Sequence, residues 1–181
     1  MKKLPSARVL RRLLEYNPDT GLLFWKPRPA WMFKTKTAAK IWNTKYANKQ
    51  AFTAVRPTGY PFGNVLRCPV DAHRVIWCMR TGEWPTQQID HIKGLSDGNR
   101  WRNLRHVSRQ ENARNKRMPS NNKSGQMGVV WDRNRQKWMA MIKVNQRNIY
   151  LGRFDQKTDA IAARKAAERR YGFSKYHGRS A

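Results

Sequence analysis

The chain has 181 residues, with 38 Lys and Arg against 11 Asp and Glu, and a net charge of +27. An isoelectric point near 11.2 lies past the level that marks nucleic-acid binders. No long apolar run or signal-like N-terminus is present, so a membrane protein is disfavoured and the expected location is the cytoplasm.

The basic excess is shared by residues 1–88, 89–123 and 124–181, so each segment is expected to face phosphate. Charge alone would also fit a ribosomal-type protein or a solvated surface. Cys68 and Cys78 are too few for a four-thiolate zinc site, and no CxxC occurs. They are expected as buried thiols. A hydrophobic fraction of 39% with 8 Trp allows real but small cores, in two or three modules.

Residues 6–16 read as a helix, with Ser6 as N-cap and Val9, Leu10, Leu13 and Leu14 on one face. Asn17-Pro-Asp-Thr-Gly21 is a strong turn signal, and Leu22–Trp25 a short strand. Residues 26–50 carry prolines, lysines and scattered aromatics, and are expected to be irregular and loosely packed or DNA-facing. Gly59–Arg67 and Pro69–Asp71 read as short strands around turns. Ala72–Arg80 is a predicted helix with Val75, Ile76 and Met79 on one face, ended by Thr81-Gly82. Trp84-Pro85 then leads into a strand ending at Asp90-His91.

A Gly-rich loop and a second strand around Asn103-Leu104-Arg105 follow. Ser108-Arg-Gln-Glu111 has the capping-box pattern and opens a helix that Pro119 stops. Residues 118–124 look like a linker. Three strands come next, around Val129–Trp131, Trp138–Val144 and Asn148–Phe154. In the third, Ile149 and Leu151 alternate against Asn148 and Tyr150. Lys157–Tyr171 is an Ala-rich helix whose stripe of Ala160, Ala163 and Ala167 would let it lie close on the strands. His177 falls in a tail expected to be disordered and without a role.

The hairpin and the helix after it would bring Asp90, His91 and Asn112 together. A carboxylate and an amide oxygen are hard ligands that suit one divalent ion, Mg²⁺ or Mn²⁺. A histidine beside such an ion can take a proton from water. That is the minimum equipment for cutting a phosphodiester with one metal. His73 and His106 are further candidates for the same centre. His73 could pack at a helix start or meet a phosphate beside Arg74, and His106 is expected to be structural or DNA-facing.

The spacing from His91 to Asn103 and on to Asn112 is 12 and then 9 residues. With Ile-Asp-His at 89–91, Asn-Arg-Trp-Arg-Asn-Leu-Arg at 99–105 and Ser-Arg-Gln-Glu-Asn at 108–112, the segment resembles the HNH family of ββα-metal homing and bacteriophage endonucleases. Ala72–Trp77 and Tyr-Asn-Pro-Asp-Thr-Gly at 16–21 also look like the phage members. The resemblance implies that His91 is the general base, that Asp90 and Asn112 hold the metal, and that Asn103 serves the catalytic centre by bracing the loop. One departure is the loop Lys93-Gly94-Leu95-Ser96-Asp97-Gly98, where many relatives carry an acidic residue or Asn after the His-Ile pair.

Residues 124–172 resemble the APETALA/ethylene-response-factor DNA-binding domain, through Gly128-Val129…Trp131, Trp138–Lys143 and Tyr-Leu-Gly-Arg-Phe at 150–154. Related copies are fused to HNH nucleases in phage. That likeness implies a three-stranded antiparallel sheet in the major groove with a helix behind it. By position, the family's contacts fall near Val130, Asp132, Met141, Lys143, Asn148 and Tyr150. Several family arginines are absent there, and Arg133, Arg135, Arg147 and Arg153 stand as replacements. Arg74, Arg105 and Arg114 complete the residues expected to meet DNA.

The expected fold is therefore α+β: a ββα-metal nuclease core, then a small three-stranded antiparallel sheet with one helix. The expected layout is a basic region over 1–60, a nuclease core over 61–119, a linker at 120–124, a DNA-binding domain over 125–173 and a tail at 174–181. The expected activity is metal-dependent cleavage of double-stranded DNA, with no small-molecule substrate implied. The alternatives are a non-cleaving DNA-binding regulator and a basic RNA-binding structural protein.

Overall fold

The computed structural model describes residues 4–179, and its elements are small, local pairings of antiparallel strands with helices laid beside them. They group into two units, Met1–Val107 and Ser108–Ala181.

In the first unit, Ser6 caps α1 (Ala7–Leu13) by accepting from the Val9 amide at 3.4 Å. The helix stops at Leu13, earlier than its apolar spacing predicts. Leu14 turns extended and opens β1 (Leu14–Asn17), which pairs with β2 (Leu22–Trp25) so that Leu14 faces Trp25. The turn between them overrides the helical pattern. Asn17 Oδ1 accepts from the Asp19 and Thr20 amides, each at 3.0 Å, which fixes a tight reversal that a continuing helix would forbid.

Residues 26–50 are not irregular. A single 3₁₀ turn at Ala30–Met32 precedes α2 (Lys36–Tyr46), whose N-cap Thr35 accepts from the Ala38 amide at 3.1 Å. Of its residues only Ala39 is buried, so no apolar stripe announces this helix in the sequence. Its aromatics pack sideways instead. Trp42 meets Trp25, Phe33 and Tyr46 at ring separations of 5.9, 6.0 and 5.4 Å, and the Arg28 guanidinium lies 3.9 Å from the Trp42 ring centre. β3 (Gln50–Ala51) adds a third strand beside β2.

β4 (Ala54–Val55), β5 (Pro61–Val65) and β6 (Cys68–Asp71) form a second sheet with β5 central. α3 (Ala72–Thr81) follows and packs on α1, β5, β6 and the next strand. Its fully buried Val75 and Ile76 join Leu10, Leu13, Leu14, Val65 and Leu104 in the core. Each such side chain contributes about 1.5–3 kcal/mol by leaving water. β7 (Gln88–His91) and β8 (Leu104–Val107) form an antiparallel pair with Asp90 opposite Arg105 and His91 opposite Leu104.

The second unit opens with α4 (Arg109–Ala113), where both bonds of the capping box form between Ser108 and Glu111. The helix ends at Ala113, well before Pro119, because the following segment finds other partners. Ser174 N donates to Arg114 O at 3.1 Å, Gly178 N to Lys116 O at 2.9 Å, and Met118 N to Arg179 O at 3.0 Å. The tail from 174 to 179 is therefore ordered chain. His177 within it is buried and lies 3.2 Å, nitrogen to nitrogen, from Arg164. The stretch expected as a linker also carries a defined turn, with Asn122 Oδ1 accepting from Gly125 N at 2.7 Å.

β9 (Val129–Asp132), β10 (Lys137–Val144) and β11 (Arg147–Phe154) make an antiparallel sheet with β10 in the middle, and α5 (Lys157–Arg170) packs on it. Val129, Ala140 and Ala160 form its core, walled by Trp138, Leu151, Phe154 and Ile161. A bulge interrupts the β10–β11 register: Met141 faces Tyr150, Ala140 faces Gly152, and Leu151 is the extra residue. Among the described residues no helix is long and apolar enough to cross a membrane.

Candidate active site and nucleic-acid face

Asp90 and His91 end β7, and both are buried, at 7% and 3% exposure. A carboxylate that deep needs a partner. Arg105, directly across the hairpin, supplies it: Nε and Nη2 donate to Asp90 Oδ2 at 2.9 and 2.7 Å. Both bonds fall on one carboxylate oxygen. A carboxylate has about four acceptor positions over two oxygens, so this pairing and a metal bond are chemically compatible.

His91 Nε2 lies 2.8 Å from the side-chain oxygen of Asn99. An amide oxygen only accepts, so Nε2 is the donor in this contact. Two more rings flank it. His73, on the first turn of α3, is 5.4 Å from His91 between ring centres, and Tyr60 is 5.7 Å away. His73 and Tyr60 are 5.0 Å apart. Burial, with the nearby His91 adding to it, pushes the His73 pKa down to about 4, so this ring is neutral at pH 7.

Asn103 is 1% exposed and ties the intervening loop at three points. Its Oδ1 accepts from Lys93 N at 2.8 Å, and its Nδ2 donates to Gly94 O at 3.0 Å and to Gly98 O at 2.8 Å. The loop thereby closes around one amide. Its ends fix where β7 stops and β8 begins. Asn112 belongs to the second unit, on α4, where its backbone N–H donates to Ser108 O at 3.0 Å.

Residues 70–114 match the family model of HNH endonucleases. The match spans α3, the β7–β8 hairpin and α4, so an HNH nuclease domain is supported there. No curated protein and no solved structure matches the chain.

Other expected residues of the HNH segment have partners within their own unit. Arg74 donates to Pro85 O at 3.0 Å and Gln87 O at 3.3 Å, bracing the approach to β7. His106 Nε2 accepts from Gln87 N at 2.9 Å, and its ring stacks on Trp77 at 5.5 Å. Arg114 lies over the Phe173 ring at 6.0 Å. Among the described residues no three His, Cys, Asp or Glu side chains are grouped to hold a metal. An ion here would therefore rely on Asp90, amide oxygen, phosphate and water, a donor set that suits Mg²⁺.

In the second unit the outward face of the sheet carries Met139, Met141 and Lys143 from β10 and Asn148, Tyr150 and Arg153 from β11. Lys143, Asn148, Tyr150 and Arg153 are exposed, as are Arg133, Arg135 and Arg147 around them. Arg153 is held upright: Nε donates to Asp132 Oδ2 at 3.0 Å, and the guanidinium lies 5.4 Å from the Tyr150 ring centre.

Sequence reasoning missed Asn99 and Tyr60, and saw Arg105 only as a DNA contact. Nothing in composition separates Asn99 from its neighbours. The residue lies within the 99–105 stretch, and only the path of the loop brings it to the imidazole.

Proposed function

We propose that the chain is a metal-dependent endonuclease acting on double-stranded DNA. The observation that carries this reading is the buried Asp90-His91 pair at a hairpin end inside the HNH match, with His91 Nε2 turned to the Asn99 side-chain oxygen. HNH nucleases as a family generally use a divalent ion.

In this reading His91 takes a proton at Nδ1 from the attacking water. The water oxygen bonds to phosphorus as the bond to the leaving sugar oxygen breaks, and that oxygen takes a proton from solvent. Asp90 would hold the divalent ion. Asn112 is its second ligand, an assignment that rests on motif spacing alone. When bound, the ion supplies Lewis-acid stabilisation of charge on the phosphate. Asn103 keeps the loop closed, and Arg105 answers the charge of Asp90.

The second unit supplies affinity and register. Lys143, Asn148, Tyr150 and Arg153 form the row that meets base edges, with Arg133, Arg135 and Arg147 on phosphate. A phage-borne or homing-type setting is proposed from the same resemblance.

The test is supercoiled-plasmid cleavage with Mg²⁺, Mn²⁺ or EDTA. The expected result is metal-dependent nicking or linearisation, lost by about 10²–10⁴-fold in His91→Ala while DNA binding persists. Cleavage by His91→Ala at the normal rate would overturn the assignment.

A further inference from the structure

The motif Tyr16-Asn17-Pro18-Asp19-Thr20-Gly21 is far in sequence from the HNH segment, yet it is built against the loop that holds His91. Tyr16 OH donates to Asn99 O at 2.8 Å. Burial, the largest influence on it, raises the Tyr16 pKa to about 12, so the hydroxyl keeps its proton and remains a donor. Arg100 Nε donates to Asp19 O at 2.7 Å, and its Nη1 to Asp97 O at 2.7 Å. Gly21, at φ +78°, lies so close that a Cβ there would sit 2.6 Å from Arg100 N and 2.7 Å from Asn99 C. These are backbone atoms, which cannot swing aside. The turn therefore holds the Asn99 peptide from both sides, and the Asn99 side chain meets His91 Nε2 at 2.8 Å.

We propose that Asn99 is the positioning residue that sets the tautomer and orientation of His91, and that the 16–21 turn is the seat that fixes Asn99. The catalytic part of this inference rests on His91 as the base. A neutral imidazole that can slide between tautomers presents its lone pair to the water only part of the time. An acceptor held at Nε2 removes that loss. Outer partners that orient metal-ligating histidines are worth about 10–100-fold, and a loss of the same order is expected for an oriented base.

The experiment is NMR of the ring nitrogens in the full chain labelled with ¹⁵N-histidine, His91 being assigned by its loss in His91→Ala. The wild type is expected to show one tautomer, protonated at Nε2. Asn99→Ala should give a mixture and lower kcat by about 10–100-fold with KM little changed. Asn99→Asp, which keeps an oxygen acceptor, should hold the proton on Nε2. Gly21→Ala should disturb the ring signals in the same direction. Tyr16→Phe removes one hydroxyl and serves as the milder probe of the seat if Gly21→Ala fails to fold. A single Nε2-protonated tautomer in Asn99→Ala overturns the proposal. A mixture in Asn99→Ala with unchanged rings in Gly21→Ala and Tyr16→Phe overturns the role of the turn. Full cleavage by His91→Ala overturns the reading of His91 as base, and leaves the tautomer result standing on its own.

Discussion

Asn103 meets three backbone groups with one amide, in a position almost without solvent. Asn103→Ala leaves a donor and two acceptors of the loop unmet, and each buried group of that kind costs about 1–3 kcal/mol. Denaturant unfolding and plasmid cleavage should both record a loss. Normal stability with lost cleavage would instead make Asn103 a direct participant in the reaction. His73 gives a pH prediction. Its pKa falls from 6.5 in the unfolded chain to about 4 in the fold, through burial and then His91. Below pH 6.5 the unfolded state therefore binds the proton more readily. The stability present at neutral pH is lost as pH falls from about 6.5 towards 4, on the order of 3 kcal/mol in all. Urea midpoints at pH 7 and 5 should differ more in the wild type than in His73→Gln. Equal differences would show that His73 is not the titrating group. Asp90, His91, Asn103 and Asn112 could be named as candidates from motif spacing, but the hold of Arg105 on Asp90 and of Asn99 on His91 could not. Those depend on strand register and loop path, which spacing does not encode.

At the scale of elements, what was legible depended on whether a signal was local. The Ser108–Glu111 box announces α4, and the apolar face of Val75, Ile76 and Met79 announces α3, because both signals lie within the element itself. α2 has no such stripe, since its Trp42 and Tyr46 pack among other aromatics rather than into the main core. In β11, alternation holds as far as Tyr150. Counted strictly beyond it, Arg153 would share the inner side with Ile149, but the bulge at Leu151 returns it to the outer row. A bulge leaves little trace in a residue pattern. Gly128 offers a stability test of this unit. At φ +73°, a Cβ would stand 2.3 Å from Met141 O and 2.6 Å from Arg164 Nη1. Gly128→Ala should lower the melting temperature, the unfavourable φ alone costing about 1–2 kcal/mol. An unchanged melting curve would mean that the sheet edge yields without cost.

For the whole molecule, charge was the most legible property. A net +27 shared along the chain predicts binding dominated by phosphate contacts. With on the order of 6–10 contacts, and a slope of about −0.9 for each, affinity for duplex DNA should fall by roughly 10³–10⁵ between 50 and 200 mM salt. Fluorescence anisotropy across that range would measure it, and a flat line would rule out extensive phosphate contact. The Arg105–Asp90 pair bears on the order of events. Because the Arg105 guanidinium already balances the buried carboxylate, folding is expected to proceed without a cation, and chelator should leave no unbalanced charge on the hairpin. For the proposed metal-dependent nuclease, loading on DNA and firing would then be separable in time: a complex assembled in EDTA should be stable, silent and poised. Adding Mg²⁺ to it should release a single synchronous round of strand scission, without the lag that a metal-requiring folding step would impose.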